Sequence, residues 1–337
     1  MTTPQDFIYK LSDHLQKNNA LQKIINKFQT DYSLTPCIGV EIEFYLSKNI
    51  APLELQTLLG IVVKKEKGDN QFEIDLPPST NIIEYIGKIS STKSKIQIIA
   101  KKLQGKVNFS AKPFPNDYGS SMHFHVNFID SSTLLREDTL VAAKQTLPNV
   151  IARSCSDRGN PEKLNLDCFV GSRRLAMTSY NTNVIARSRS GRGNPYSLDI
   201  IGQSICHYML DSFLVFMPNE DDYLRLDKNF MAPTNVSFGN NNRTVAVRIP
   251  DSFPRRLEHR IASPLTDPYL AIFTILNSIL LGLEFPDKIN NISKIYGNAF
   301  DQQYNLVPLP KSLAEALELF NLQFFYLNIF FKNSIKN

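Results

Sequence analysis

The stretch that most constrains this chain is Cys37-Ile38-Gly39-Val40-Glu41-Ile42-Glu43-Phe44-Tyr45-Leu46, an apolar, β-prone run interrupted by two glutamates. On a strand, residues i and i+2 point to one face, so the Glu41 and Glu43 carboxylates project together. Like charges held that close repel unless a cation or a basic group stands between them. The same pattern also describes the solvated face of a half-exposed sheet, so its meaning depends on what the chain places beside it.

Three later segments add chemistry. Val62 to Ile74 reads as strand, glycine-containing turn and strand, with Glu66 and Glu73 on opposite sides of the turn. A hairpin can bring both onto one face, although a charged hairpin tip has the same spelling. Ser120-Ser121-Met122-His123-Phe124-His125-Val126-Asn127-Phe128 follows Gly119 and sets two of the five histidines on one strand face. Thr244–Pro250 reads as a strand with Val245, Val247 and Ile249 on one face, and the next segment aligns Arg256, Glu258 and Arg260 on a strand face.

Around these lie helical patterns. Residues 5–29 carry apolar residues at near-helical spacing, an amphipathic pair broken near Asn18-Asn19. Helices are expected over Pro52–Leu59, over about 82–103, as one buried helix over Ile200–Phe216, and from Asp267 to about Leu283. A last helix starts at Ser312, whose spacing to Glu315 is that of a capping box.

Composition bounds the rest. The 337 residues are 42% hydrophobic and 20% charged, enough for a sizeable core in one large domain or two smaller ones. A net charge of +5 suits an anionic small-molecule substrate or weak attraction to nucleic acid, and decides neither. The 4 cysteines form no C-x-x-C pair, the N-terminus has no apolar leader, and Ile272–Leu283 is too short to span a bilayer. A soluble cytoplasmic protein without a membrane partner is expected. Residues 147–195 stand apart: Asn149-Val150-Ile151-Ala152-Arg153-Ser154 recurs as Asn183-Val184-Ile185-Ala186-Arg187-Ser188. Rich in Arg, Ser, Asn and Gly and poor in apolar periodicity, this stretch reads as an inserted, mobile repeat loop. Its rival reading, an RNA-binding patch, lacks an aromatic stacking platform, so a nucleic-acid partner is not expected.

Carboxylates with an imidazole suit Mg²⁺ or Mn²⁺ rather than a thiolate-bound metal. Arginines beside them hold anionic oxygens, which points to nucleotide-dependent phosphoryl transfer. Over about 36–130 and 196–320 these motifs, in this order, resemble the catalytic domain of the glutamine synthetase family. The resemblance implies an α+β fold, with a curved antiparallel sheet lining the active site and helices flanking it. It implies an N-terminal helical segment over 1–35 and a catalytic domain over 36–337. Glu43, Glu66 and Glu73 would hold one metal; Glu41, His123 and Glu258 would hold a second, at the nucleotide phosphates. His125, Arg248 and Arg256 would bind ATP, and Arg225, Arg243, Arg260 and Gly119 the substrate, with Arg243 and Arg260 catalytic. The activity implied is ATP-dependent formation of a γ-glutamyl amide from glutamate and ammonia or another amine, through an acyl phosphate. A homo-oligomer smaller than the family's ring is expected.

Departures from the family qualify that expectation. The chain is expected to lack a counterpart of the family's N-terminal β-grasp domain before the E-x-E strand. Met231, in Asn229-Phe230-Met231-Ala232-Pro233, stands where the family has a glutamate that accepts a proton from ammonium. Tyr118 precedes Gly119 where the family has an asparagine, and Phe324–Lys332 is unusually aromatic. The alternative reading is therefore a catalytically impaired nucleotide- and metal-binding remnant that regulates or co-assembles with a complete homologue.

Overall fold

The computed structural model describes residues 3–130 and 197–325; the repeat at 147–195 and the end of the aromatic C-terminal run lie outside them. Within the described residues, eight strands form one sheet: β1 (Leu34–Leu46), β2 (Val63–Lys65), β3 (Gln71–Ser79), β4 (Val107–Asn108), β5 (Met122–Asp130), β6 (Phe238–Asn240), β7 (Val247–Ile249) and β8 (Leu257–His259). Their order is β2-β3-β1-β5-β8-β7-β6, with β4 paired to the end of β1. Strand β1 organises the sheet because it is long, continuous and hydrogen-bonded on both sides. Its alternation sorts the faces: Ile38, Val40, Ile42 and Phe44 enter the core, whereas Glu41 and Glu43 face a cavity.

The expected hairpin is present, with Lys64 opposite Glu73 in its register. The sheet departs from the antiparallel expectation at one edge, where β6 and β7 run parallel. Strands of 3 residues are only about 10 Å long, so a short loop can carry the chain back beside itself without a helical crossover. The strand expected over Thr244–Pro250 shrinks to β7 for a related reason. The Thr244 hydroxyl and backbone N–H both donate to Asn242 Oδ1, at 2.7 and 3.0 Å, and turn that segment into a loop.

Helices α1 (Pro4–Lys17), α2 (Ala20–Tyr32), α3 (Pro52–Leu59), α4 (Ile82–Lys102), α5 (Leu198–His207), α6 (Met209–Phe216), α7 (Pro268–Glu284) and α8 (Leu313–Leu319) flank the sheet. The single helix expected over Ile200–Phe216 is two, because Tyr208 adopts φ −93° and ψ 7° between α5 and α6. Helix α7 is buried on all sides from Tyr269 to Gly282, which its uniformly apolar sequence requires. Asp267 caps it by accepting from the Tyr269 and Leu270 N–H groups at 2.8 and 3.3 Å. Gly282 lets α5 approach: a Cβ there would overlap the Ser204 side chain.

The N-terminal pair joins the same core through Ile8, Leu11, Leu15, Leu21, Ile24 and Phe28. Ser12 donates to Asp267 at 2.6 Å, and the Tyr269 hydroxyl donates to the Leu15 carbonyl at 3.2 Å, pinning α1 to the start of α7. At α8, the Ser312 hydroxyl accepts from the Glu315 N–H at 3.2 Å, half of the expected capping box. The Glu315 carboxylate reaches past the cap to the Lys311 N–H at 2.8 Å. No helix among the described residues is long and apolar enough to cross a membrane.

Candidate active site

The sheet register writes the site. Glu43 lies directly opposite Glu73, and Glu41 opposite both Asp75 and His123. His125 lies opposite Gly39 on one side and Glu258 on the other, and Arg248 opposite Glu258. Adjacent strands therefore carry Lys64, Glu73, Glu43, Glu41, His123, His125, Glu258 and Arg248 across one face. Like charges directly opposite, as in Glu43–Glu73, destabilise a sheet, so a compensating cation is expected at that face.

All six expected metal donors, Glu41, Glu43, Glu66, Glu73, His123 and Glu258, line one cavity of about 260 Å³. Arg225, Arg243, Arg248, Arg260 and Gly119 line it as well. His125 and Arg256 instead line a second cavity of about 410 Å³, whose wall is mostly apolar: Val40, Leu76, Pro77, Pro78 and Phe253. Glu41 lines both and is the partition between them. The expected ATP-binding residues thus divide, with Arg248 on the charged side and His125 and Arg256 on the apolar side.

Hydrogen bonds hold the charged wall in register. Ser121 donates to Glu43 from its backbone N–H at 2.7 Å and from its hydroxyl at 2.8 Å, and the same hydroxyl lies 2.8 Å from His123 Nε2. His123 Nδ1 is 3.2 Å from Glu41 and 3.6 Å from Glu258. His125 Nε2 is 2.9 Å from the other Glu41 oxygen, while its Nδ1 accepts from Arg256 Nε at 3.0 Å. Lys64 bridges Glu73, at 3.0 Å, and Asp75. Ser121 and Lys64 were absent from the expected site. Ser121 shares a strand face with His123 at i−2, and Lys64 is the cross-strand partner of Glu73, so both signals were in the pattern.

The arginines are not equivalent. Arg225, 4% exposed, donates to the Ile261 and Arg260 carbonyls at 2.8 and 2.7 Å. Arg260 pairs with Glu258 at 3.2 Å and donates to the Arg243 and Val245 carbonyls. Arg248 pairs with Glu258 at 2.8 Å. Much of the binding capacity expected of Arg225 and Arg260 is therefore committed to the protein's own backbone. The Arg243 side chain is exposed and has no ion-pair partner among the described residues. Gly119 belongs to the same arrangement: a Cβ there would lie 2.6 Å from Arg225 Cγ and 2.7 Å from the Ala111 carbonyl.

The charges sort by surroundings. Burial pushes Glu73 up to about 9, helped by repulsion from Glu41 and Glu43. Glu66 is raised for the same two reasons, burial and the nearby Glu43. For Glu41 burial acts in the same direction but loses to His123 and His125, which hold it below the ordinary carboxylate range. Glu258 is likewise lowered against burial, by His123 and Arg260. Ligand atoms of Glu41, Glu73 and His123 come within 4.8 Å of one another. That trio crosses the two donor sets that the resemblance implies. Oxygen donors with one imidazole and a surplus of crowded negative charge fit a hard divalent cation.

Met231 sits in the charged cavity with Phe230, Ala232 and Tyr118. Its φ of 60° is in the left-handed region, uncommon for a residue other than glycine, at the end of a short turn capped by Asp227. The second cavity holds two acceptors without partners among the described residues, Asp75 Oδ1 and Asn127 Oδ1.

Comparison with known proteins places these features in context. Residues 53–152 and 180–337 match the glutamine synthetase catalytic domain, a match that begins after the E-x-E strand. The chain is 26% identical over 270 residues to gamma-glutamylputrescine synthetase PuuA of Escherichia coli K12, covering 80% of this chain and 45% of that protein. It is 22% identical over 334 residues to glutamine synthetase of Methanococcus voltae, covering 88% and 64%. Over 109 residues it is 38% identical to glutamate–isopropylamine ligase of a Pseudomonas species, covering 32% and 23%. Among solved structures, GmaS with ADP superposes with a TM-score of 0.64 at 17% identity, over 93% of this chain and 69% of that one.

Proposed function

The chain belongs to the glutamine synthetase family, and from that membership we propose that it is an ATP-dependent carboxylate–amine ligase forming a γ-glutamyl amide through an acyl phosphate. The observation that carries the reading is the pair of cavities meeting at Glu41, one lined by carboxylates and arginines and the other mostly apolar. A nucleotide has that same division: a flat, largely apolar base and a polyanionic tail. Its base would occupy the apolar cavity, where Asp75 Oδ1 and Asn127 Oδ1 are positioned to accept from an exocyclic amino group. His125 and Arg256, bonded to each other beside Glu41, would meet the phosphates at the junction.

Mg²⁺ or Mn²⁺ would be held by Glu41, Glu43, Glu66, Glu73, His123 and Glu258, and when bound would neutralise charge on the transferring phosphoryl group. The chain's own residues do the rest. Arg243, which lines the cavity and has no ion-pair partner among the described residues, stabilises charge on the phosphoryl oxygens as the glutamate γ-carboxylate attacks phosphorus and ADP departs. Arg248 and Arg260 hold Glu258 in place, and Ser121 orients Glu43 and His123. The amine nitrogen then attacks the acyl carbon, the bond to phosphate oxygen breaks, and the amine proton leaves with phosphate.

The test is phosphate release from ATP in the presence of Mg²⁺ and glutamate, with and without amines, beside Glu43→Ala and Glu258→Ala. Amine-dependent release that both substitutions abolish supports the ligase. Metal-dependent ATP binding with no release under any condition supports the impaired nucleotide-binding remnant instead.

A further inference from the structure

The charged cavity has one wall without acids. Its five carboxylates, Glu41, Glu43, Glu66, Glu73 and Glu258, all come from β1, β3, β8 or the β2–β3 turn. Loop residues Tyr118, Phe230, Met231 and Ala232 bring aromatic rings and a thioether to the lining, which Lys67 and Gly119 also join. The Tyr118 and Phe230 rings meet edge to face at 5.4 Å. Cations already lie against both: Lys112 Nζ is 3.4 Å from the Phe230 ring centroid, and Lys67 Nζ is 5.4 Å from that of Tyr118. Two acids, Asp227 and Asp117, lie close enough to Lys112 to offset its charge, and both also accept from backbone N–H groups. Asp227 accepts from the Asn229 N–H at 2.8 Å, and Asp117 from the Asp69 and Tyr118 N–H groups at 2.9 and 2.7 Å.

Resting on the ligase reading above, we propose that the acceptor is a primary monoamine with an uncharged, apolar tail, seated against Tyr118, Phe230 and Met231. The anionic acyl phosphate belongs with the arginines and the cation-binding carboxylates, which leaves the acid-free wall for the nucleophile. The ring faces of that wall are already taken by the Lys112 and Lys67 ammonium groups, so a further ammonium, free or at a diamine's distal end, would meet like charge there. An alkyl tail gains by covering Met231, which lines the cavity and is 36% exposed. The neutral amine nitrogen supplies the electron pair for the new C–N bond, the acyl C–O bond breaks toward phosphate, and one proton moves from nitrogen to phosphate.

The experiment compares kcat/KM for ammonia, n-butylamine and 1,4-diaminobutane in the full chain with ATP, Mg²⁺ and glutamate. The expected order puts butylamine at least about tenfold above both others, roughly the effect of burying two methylenes. Met231→Glu is expected to reverse the ranking of the two four-carbon amines, while Met231→Leu keeps it. Equal or better use of ammonia or diaminobutane by the native chain overturns the proposal while leaving the ligase reading intact. Absence of turnover with every amine counts against the ligase reading, and the acceptor wall is then tested by calorimetry with the product amides. Binding of γ-glutamylbutylamide at least about tenfold tighter than glutamine and the diaminobutane amide supports the proposal; equal binding overturns it.

Discussion

The two cavities that share Glu41 are built on opposite principles. The charged one gathers like charges whose mutual repulsion the fold relieves only in part: Lys64 reaches Glu73, yet Glu73 is pushed up to about 9, and Glu43 faces it across the ladder. The apolar one is walled mostly by proline, valine, leucine and phenylalanine side chains that suit a flat partner, with the Asp75 and Asn127 acceptors left for its polar edge. A charged cavity is stabilised by what it binds, whereas an apolar one is stable as it stands. The first should therefore respond to substitution through ligand affinity and pH, and the second through shape.

The sharpest way to break that contrast lies inside the charged cavity. Arg243→Ala is expected to lower amine-dependent phosphate release about 10²–10³-fold with a nearly unchanged Tm, because its exposed side chain forms no ion pair with a described residue. Arg260→Ala should do the reverse and unfold the protein more readily, by about 1–3 kcal/mol, since it leaves the buried Glu258 with Arg248 as its one arginine partner and takes a donor from the Val245 carbonyl. Ser121→Ala leaves Glu43 and His123 without their shared hydroxyl and should weaken Mn²⁺ binding about 10–100-fold in a metal titration. On the apolar side, Val62→Arg adds a charge at an exposed rim position and should weaken ATP binding about tenfold while sparing metal-ion affinity.

pH separates the cavities as well. The folded Glu73 carboxyl keeps its proton up to about 9, whereas the unfolded chain loses it at the ordinary glutamate value of about 4.5. The folded state then binds more protons across that window, so this group makes metal-free stability fall as pH rises from about 4.5 to about 9. A divalent cation must displace the proton, so metal affinity should rise with pH and level off near 9, with proton release measurable by calorimetry in two buffers. Far from both cavities, Ser312→Ala should cost about 1 kcal/mol through its lost cap and leave catalysis untouched.

The contrast also explains what the sequence disclosed. The charged cavity was legible because strands repeat every second residue: Glu41-x-Glu43 and His123-x-His125 announce a shared face without any structure. Ser121 and Lys64 obeyed the same rules and were overlooked, since neither type stands out as a ligand. The apolar cavity was legible only in its polar edge, Glu41, His125 and Arg256, while its apolar wall left no such trace. Cys37, Val62, Pro77, Pro78 and Phe253 come from separate segments and look like ordinary core or loop residues until the sheet brings them together. The fold followed the same logic. Long, strongly periodic elements such as α4 and α7 were plain, while the break at Tyr208 and the parallel β6–β7 pair arose from local hydrogen bonding and loop closure that periodicity does not encode.

The measurement that bears most directly on a single bipartite site is calorimetric ATP binding with and without Mg²⁺, for the native chain and Glu41→Gln. Glu41 is the shared partition, so Mg²⁺ should tighten ATP binding at least about tenfold in the native chain. In Glu41→Gln that gain should collapse, while metal-free ATP affinity, carried by the apolar cavity, stays within about twofold. An equal Mg²⁺ gain in both proteins would contradict the account, because the two cavities would then bind without passing through Glu41.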